Sequence, residues 1–310
     1  MAEKMATRQA YGKFLSQIAE TNPNVVVMDA DLSGSTMTKE FKNVAPERFF
    51  NVGIAEQNLY AMATGLAHSG KTVFASTFAM FAAGRAFEII RNSIGYTHAN
   101  VKICATHAGL TVGEDGASHQ AIEDMALMRT IPGMTVVNPA DGASAMALLK
   151  AVSEMNGPAY VRLGRAAVEG IYEDDAVFEI GKGVCVKDGE DATIIATGIM
   201  VGEALKAAEA LKAEGIDVRV IDMHTIKPLD EDIIVKAAEE TGAIVTAEEH
   251  TVIGGLGSAV AEVVAQRCPV KMKIVGVQDT FGESGKPAEL LAKYGLTAQD
   301  LCEAVKALKK

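Results

Sequence analysis

The sequence predicts an α/β protein built from two doubly wound, mostly parallel sheets. Short runs of β-branched residues alternate with segments of helical periodicity from one end to the other, which is typical of parallel βα units. The chain has 310 residues, the length of about two domains. Trp is absent and aromatic residues make up only 5% of the chain, while Ala, Gly, Val and Met are plentiful, a composition that favours helices packed closely on sheets.

The first predicted domain spans residues 1–175 and alternates five strands with five helices. Its predicted strands are Val25–Met28, Thr72–Ser76, Val101–Thr106, Thr135–Val137 and Ala159–Leu163. Its predicted helices are Thr7–Glu20, Glu56–His68, Phe81–Ser93, Ala121–Met128 and Asp141–Met155. The acidic segment Arg165–Asp191 then breaks the rhythm, and we expect an exposed linker to join this domain to the next one, which begins near residue 190.

The second predicted domain spans residues 190–310, where the alternation resumes. Its predicted strands are Thr193–Thr197, Val218–Ile221, Ala243–Glu248 and Met272–Val275. Its predicted helices are Val201–Glu214, Asp230–Thr241, Gly257–Gln266, Pro287–Lys293 and Thr297–Leu308. The glycine-rich stretch 253–258 in this domain lacks the third glycine of a dinucleotide loop, so it is a weak nucleotide signal.

Charge and composition narrow the classes of function. A net charge of −11 argues against nucleic acid or an anionic membrane as a general partner. The longest stretch without a charged residue, Gln57–Gly70, is shorter than the roughly 20 apolar residues of a membrane span. The first residues hold no signal-peptide core, and the four cysteines form no CxxC pair. These features predict a cytoplasmic protein.

Ligands of open α/β sheets bind beyond the carboxyl ends of the strands, so the loops there are the candidate sites. The loop Asp29–Ser35 carries two acids and two hydroxyls that could bind a sugar or a phosphate, although a capped turn explains it better. Glu56 begins an otherwise apolar helix, where it either complements the helix dipole or transfers protons. Phe78 and Phe81 are three residues apart, a spacing that predicts one shared helical face, and they either pack in the core or form a platform for a flat heterocycle.

The loop His107–Gln120 is the richest of these segments. It holds three glycines, two acids and two imidazoles with almost no apolar anchoring, so binding explains it better than packing. No third ligand accompanies the two imidazoles at a suitable spacing, so no metal site is predicted in this chain. Arg162 and Arg165 end the fifth strand, where they either bind a phosphate or carboxylate or form a salt bridge.

These motifs, taken together and in order, resemble the C-terminal half of transketolase over nearly the whole chain. The resemblance implies a pyrimidine-binding domain followed by the transketolase C-terminal domain, both doubly wound α/β sheets. Its anchors are Ala6-Thr7-Arg8, Ala30-Asp31-Leu32, Gly53-Ile54-Ala55-Glu56, Ser76-Thr77-Phe78, His107 with Val112-Gly113-Glu114-Asp115-Gly116 and His119-Gln120, and Pro139-Ala140-Asp141.

The resemblance implies roles for residues around the cofactor thiamine diphosphate. Glu56 matches the glutamate that bonds a ring nitrogen of the aminopyrimidine and so promotes formation of the nucleophile. Phe81, with Phe78, matches the aromatic wall on which that ring stacks, and Asp31 matches an acid near the cofactor.

It also implies roles toward a sugar phosphate. Four residues match ligands of the substrate phosphate: Arg8, Ser35, His107 and Arg165. Asp115 matches the acid that reads a substrate hydroxyl, and His119 matches an imidazole close to the reacting carbons. The expected catalytic residues are therefore Glu56, His107 and His119.

The Gly-Asp-Gly motif of the family's diphosphate-binding domain does not occur in the sequence. The resemblance therefore implies one subunit of a split transketolase, whose separate N-terminal partner holds the diphosphate and its Mg²⁺ or Ca²⁺. A heterotetramer with two copies of each chain is expected. Two departures concern the pocket: Gln57 stands where many full-length members have His, and Gly84 where an aromatic residue often occurs.

Three alternatives share this architecture: the beta subunit of a 2-oxo-acid dehydrogenase decarboxylase, deoxyxylulose-phosphate synthase, and a non-catalytic regulatory subunit. Transketolase is favoured over the first two by His107 with Val112-Gly113-Glu114-Asp115-Gly116, and by Arg8, Ser35 and Arg165, which together suit a sugar phosphate. A lipoyl-linked decarboxylase has no use for three phosphate ligands. The presence of Glu56 argues against the third. The second domain is expected to serve subunit association, with His250 as a structural or interface residue.

Overall fold

In the computed structural model, which describes residues 4–309, strands and helices alternate as the sequence predicts. The strands are β1 (Met5–Ala6), β2 (Val25–Asp29), β3 (Phe49–Asn51), β4 (Thr72–Phe78), β5 (Val101–Thr106), β6 (Thr135–Val137), β7 (Ala159–Arg162), β8 (Ala167–Val168), β9 (Val184–Lys187), β10 (Ala192–Ala196), β11 (Val218–Asp222), β12 (Thr225–Lys227), β13 (Ala243–Thr251) and β14 (Lys271–Val277).

The α-helices lie mostly between these strands. They are α1 (Thr7–Thr21), α2 (Ser33–Thr36), α3 (Lys39–Val44), α4 (Glu56–His68), α5 (Phe87–Ile89), α6 (Asp124–Arg129), α7 (Gly142–Glu154), α8 (Met200–Ala213), α9 (Glu231–Thr241), α10 (Leu256–Arg267), α11 (Pro287–Lys293) and α12 (Ala298–Lys309). Short 3₁₀ turns occur at Pro46–Arg48 and Leu110–Val112. Among the described residues, no helix is both long and apolar enough to cross a membrane.

The first half of the chain (residues 4–168) forms most of a seven-stranded sheet with the order β12-β6-β7-β5-β4-β2-β3. All neighbours from β6 to β3 run parallel. Every residue of β2, β4 and β5 is buried, because helices cover both faces of a parallel sheet. The carboxyl ends of these strands therefore meet at one edge.

The second half (residues 184–309) forms a five-stranded sheet with the order β14-β13-β10-β11-β9. The four strands β14, β13, β10 and β11 are parallel, and β9 pairs antiparallel at the edge. The two sheets confirm the predicted fold class.

Strand β12 belongs to the second half by sequence but completes the sheet of the first. It pairs antiparallel with β6, where Thr225 lies opposite Val137. The apolar cluster beneath it also joins both halves, since Met134 and Val136 pack in one core with Ile221 and Ile226. The two sheets therefore share hydrophobic core.

The segment Arg165–Asp191 is mostly exposed or half-buried, but it is more than the linker that the sequence predicts. The segment contains β8 and β9, the Phe178 side chain is buried, and the Tyr172 hydroxyl donates to Asp222 Oδ2 at 2.9 Å. Strand β9 pairs with β11, and β10 and α8 lie between the two strands in the sequence. The short apolar pattern of β9 therefore does not by itself predict a strand.

The predicted helix Phe81–Ser93 is interrupted by two π-helical turns, Met80–Arg85 and Ile90–Gly95, on either side of α5. The amide of Ala86 donates to the carbonyl of Phe81, and the amide of Tyr96 to that of Arg91, each a five-residue step. An apolar pattern does not distinguish such turns from an α-helix, and π turns are frequent at functional sites.

Candidate active site

The predicted site residues follow neighbouring strands that end at one edge of the first sheet. In spatial order, Arg165 follows β7, His107 follows β5, Phe78 is the last residue of β4, Asp31 follows β2, and Glu56 follows β3. This row lies where ligands of open α/β sheets bind.

Glu56 is the first residue of α4, and its side chain is only 2% exposed. Its Oε2 accepts a hydrogen bond at 2.8 Å from Nη1 of Arg85, whose side chain is 51% exposed. An acid in the first turn is favoured by the helix dipole. The buried carboxylate is thus paired with a cation that reaches it from the solvent side.

Phe78 and Phe81 lie side by side, although not on one helical turn as predicted, because Phe78 ends β4 and Phe81 belongs to a π turn. Their ring centroids are 5.9 Å apart and nearly parallel. The His107 ring stacks on Phe78 at 3.9 Å, and the His119 ring contacts the edge of Phe81 at 5.4 Å. The Arg85 guanidinium lies 4.9 Å from the Phe81 centroid, so the residue that pairs with Glu56 also covers this ring.

His107 is a buried, uncharged imidazole in a strained position. Its φ of 59° is unusual for a residue other than glycine, and its Nδ1 shares a 2.9 Å hydrogen bond with the Thr106 hydroxyl. Burial lowers the pKa of His107 to about 3, helped by the positive charges of Arg8 and Arg165. His107 therefore offers a neutral hydrogen-bonding group beside cations.

Arg8 and Arg165 supply the positive charges beside His107, and we call these three residues the anion pocket. Arg8 donates from Nη1 to the carbonyl of Ser35 at 2.8 Å, and its buried Nε–H lacks a hydrogen-bond partner within residues 4–309. Burial, with the charge of Arg165, lowers the pKa of Arg8. Arg165 donates to the carbonyl of Val112 at 2.6 Å and pairs with Glu114 at 3.2 Å. Two guanidinium groups and an unpaired donor are suited to an anion.

The prediction that the loop His107–Gln120 has almost no apolar anchoring is wrong. Leu110 and Val112 form a 3₁₀ turn and are completely buried. Leu110 packs in the apolar cluster of the second half, which its local sequence does not reveal. Asp115 is exposed and His119 is half-buried, whereas His107, Thr111 and Gln120 are buried, so only part of the loop's polar side chains faces outward.

The loop Asp29–Ser35 divides into a structural and an exposed acid. Asp29 is buried and accepts hydrogen bonds from the hydroxyls of Thr36 and Thr38, while burial raises its pKa. Asp31 is exposed, has a φ of 66°, and accepts from Asn51 Nδ2 at 2.7 Å. Asp29 therefore stabilises the turn, and Asp31 lies at the edge of the site.

The two arginines at the end of β7, Arg162 and Arg165, have different surroundings. Arg162 is buried, with its Nε 2.9 Å from Asp124 Oδ2, the same oxygen to which the Tyr160 hydroxyl donates at 2.7 Å. Its Nη2 donates to the carbonyls of Ala121 and Glu249. Arg162 is thus part of the internal framework, whereas Arg165 borders the pocket.

Sequence reasoning missed two charged residues near the site, Arg85 and Glu249. Arg85 is the one charged residue in the run Thr72–Phe87, a signal that could have marked it. Glu249 lies in the second half, and its carboxylate accepts the amide of Thr111 at 2.6 Å. Its neighbour His250 is buried and accepts the amide of Ala126 at 3.3 Å, a structural contact between the halves.

No group of three or more His, Cys, Asp or Glu side chains able to hold a metal ion occurs within residues 4–309.

Two protein families match the chain in succession. The family described as "Transketolase, pyrimidine binding domain" matches residues 3–170, and that described as "Transketolase, C-terminal domain" matches residues 181–301. Together they cover most of the chain.

Curated relatives agree with this match. The "Putative transketolase C-terminal section" of Methanocaldococcus jannaschii is 53% identical over 96% of this chain and 94% of its own. The "6-deoxy-6-sulfo-D-fructose transketolase subunit SqwH" of Clostridium sp. strain MSTE9 is 42% identical over 96% of this chain and 92% of its own. Human transketolase is 37% identical over 99% of this chain but only 50% of its own length.

A solved structure has the same fold throughout. The structure titled "Split gene transketolase, inactive beta4 tetramer" superposes with a TM-score of 0.91 and 55% identity, covering 99% of this chain and 98% of that chain.

Proposed function

Because the chain belongs to the transketolase family, we propose that it is the C-terminal subunit of a split transketolase that uses thiamine diphosphate to transfer a two-carbon ketol unit between sugar phosphates. The supporting observation is that the buried Glu56 carboxylate and the anion pocket around His107 lie at the same sheet edge. The first group suits a cofactor ring and the second a substrate phosphate.

The residues at the rim fit the aminopyrimidine of thiamine diphosphate. The ring of Phe81 is half-buried, and the Glu56 carboxylate beside it is paired with the exposed side chain of Arg85. A flat heterocycle with ring nitrogens needs such an aromatic face and such a hydrogen-bonding carboxyl group. When bound, thiamine diphosphate supplies the electron sink for carbon–carbon bond cleavage and formation next to a carbonyl.

Within the cofactor site, the Glu56 carboxyl group would form a hydrogen bond with a ring nitrogen, and its burial would strengthen that bond. Phe81, with Phe78 behind it, orients the ring, and Asp31 lies at the same edge. Arg85 contacts both Glu56 and Phe81, so a ring bound to those two residues would take the place of the Arg85 contact with Glu56.

Within the substrate site, Arg8, Arg165 and His107 bind the anionic end of the sugar, with Ser35 next to Arg8. A neutral His107 donates to a phosphate oxygen while the two guanidinium groups neutralise its charge. Asp115, on the outer face of the loop, accepts a hydrogen bond from a sugar hydroxyl. His119, also on that face, forms a hydrogen bond with a hydroxyl nearest the reacting carbons.

A separate N-terminal subunit completes the enzyme in this proposal. The chain lacks Gly-Asp-Gly and matches half of human transketolase, and the solved relative made of one chain type is titled inactive. We therefore propose a heterotetramer with two copies of each chain, in which the partner holds the diphosphate and Mg²⁺ or Ca²⁺. The free, widely separated cysteines support a reducing, cytoplasmic location.

The test is a ketol-transfer assay with thiamine diphosphate, Mg²⁺, a ketose phosphate donor and an aldose phosphate acceptor. This chain is assayed alone and then co-purified with a candidate N-terminal subunit. We expect turnover only from the mixture.

Donor identity is tested in the same assay with 6-deoxy-6-sulfofructose, because a relative is named for that substrate and the two guanidinium groups suit sulfonate as well as phosphate.

Turnover by this chain alone would contradict the split-enzyme proposal. Oxidation of a 2-oxo acid by the mixture, without ketol transfer, would replace it with the dehydrogenase alternative.

A further inference from the structure

Two adjacent carboxylates near the end of β13 serve opposite sides of the strand. Glu248 and Glu249 are both buried, and successive side chains of a strand point to opposite faces. Glu248 accepts the amides of Leu256 and Gly257 at 2.7 Å, which caps α10 within the second half. Glu249 instead reaches into the first half and accepts the amide of Thr111.

The loop that contains Thr111 is shaped to receive this carboxylate. Gly109 has a φ of +80°, and a β-carbon there would lie 2.3 Å from the carboxyl carbon of Glu249. Glycine is therefore required both by the backbone conformation and by the approach of the carboxylate.

The second half approaches the loop at three more places, on either side of Thr111. Gln120 donates from Nε2 to the carbonyl of Glu283 at 2.9 Å, and a β-carbon at Gly116 would lie 2.6 Å from the Ser284 hydroxyl. Leu110 is buried in one cluster with Leu290. The inner side of the loop thus rests on the second half along its length.

The same stretch of backbone also contacts the anion pocket. The carbonyl of Val112, one residue after Thr111, accepts from Arg165 at 2.6 Å, and His107 begins the loop on the far side of Gly109. A shift of the Thr111 peptide would therefore move an acceptor that orients Arg165.

We propose that Glu249 is a positioning residue, through which the second half fixes the loop His107–Gln120 in the shape that presents His107, Asp115 and Arg165 to substrate. The identity of that substrate rests on the function proposed above, whereas the loop contact does not. The second half then serves substrate binding as well as the subunit association expected from sequence.

The test compares three variants of the full chain: Glu249→Ala, Glu249→Gln and, as a matched control, Glu248→Ala. Backbone hydrogen exchange of residues 107–120 is measured in each chain. The apparent KM for a phosphorylated acceptor and kcat are measured in the two-chain complex.

For Glu249→Ala, we expect exchange in residues 109–113 to accelerate at least about tenfold, since one buried amide loses its acceptor. We expect the KM to rise about tenfold with kcat changed less than about threefold. Glu249→Gln retains an amide oxygen that accepts from Thr111, so it should stay near wild type. Glu248→Ala removes an equally buried carboxylate from the next position and should leave the loop and the KM unchanged.

Unchanged loop exchange in Glu249→Ala, equal acceleration in Glu248→Ala, or accelerated exchange without any rise in KM would each overturn the proposal. If Glu249→Ala does not fold, Glu249→Asp takes its place, because a carboxylate one methylene shorter no longer reaches Thr111. A wild-type complex without ketol transfer would refute the proposed function, and the exchange measurement would still decide the positioning role.

Discussion

The two halves of this molecule have similar sheets, but they use the polar groups at their strand ends differently. In the second half, Glu248 and Glu249 are bound by backbone amides, so they contribute to structure. In the first half, Glu56 is held by an exposed side chain, and Arg8 keeps an unpaired buried donor. The fold determines where polar groups gather, and unsatisfied or replaceable partners distinguish a binding site from internal framework.

Glu56 and Glu248 give the closest form of this comparison, since each is a buried carboxylate at the N-terminus of a helix. Glu248, in β13, accepts two amides from the first turn of α10, and a ligand could not take their place without undoing that turn. Glu56 pairs with Arg85, which can move into solvent. We therefore expect substitutions of the two residues to affect different properties.

The largest expected effect is on turnover. Glu56→Ala should lower kcat of the two-chain complex by at least about 100-fold, because it removes the proposed proton-transferring group. Subunit assembly, measured by size-exclusion chromatography, should be unchanged. Turnover at the wild-type level would remove Glu56 from the mechanism, and Glu248→Ala provides the control carboxylate from the second half.

The second prediction separates the arginines of the two halves. Arg165→Ala should raise the apparent KM for phosphorylated sugars about tenfold or more, since a charged ligand of the phosphate is lost. The KM for an unphosphorylated analogue should change little. Arg219→Ala, which removes a cation paired with Asp188 and Glu240 in the second half, is the control and should leave both KM values unchanged. Equal effects of Arg165→Ala on both substrates would contradict the phosphate role.

The third prediction concerns stability. Glu248→Ala leaves the amides of Leu256 and Gly257 buried without an acceptor, and should lower the free energy of unfolding by about 1–3 kcal/mol. Urea denaturation monitored by circular dichroism measures this. No loss of stability would mean that these amides find other partners, and the contrast with Glu56 would weaken.

The smallest expected effect is a pH dependence from His107. Its pKa is about 3 in the folded chain and 6.5 in the unfolded chain, so the unfolded state binds the proton first as pH falls. Stability relative to His107→Gln should be highest above pH 6.5 and should decline by about 1 kcal/mol over the first pH unit below it. Denaturation midpoints of both chains between pH 8 and pH 5 measure the difference. A constant difference would show that His107 is not held neutral by its surroundings.

Sequence reasoning placed Asp31, Phe78 and His107 well, because each follows a predicted parallel strand and such strands end at one edge even if their bounds shift by a residue or two. It did not predict β3 (Phe49–Asn51), the strand that brings Glu56 to the same edge. It failed where contacts join distant segments. Thr111 and Glu249 are 138 positions apart, and no local pattern connects them. The π turn that carries Arg85 onto Phe81 was missed for another reason, since its apolar pattern matches that of an ordinary helix.

The pairing of β12 with β6 joins the two halves of the chain in one sheet. Residues 225–227 close one edge of a sheet whose other strands lie before residue 163, so the two families matched along this chain do not correspond to separable units. Expressed alone, the first would present β6 as an open edge, inviting aggregation by strand pairing with a neighbouring copy. Recombination or chimera design that exchanges one half for that of a relative should therefore carry β12 together with β6.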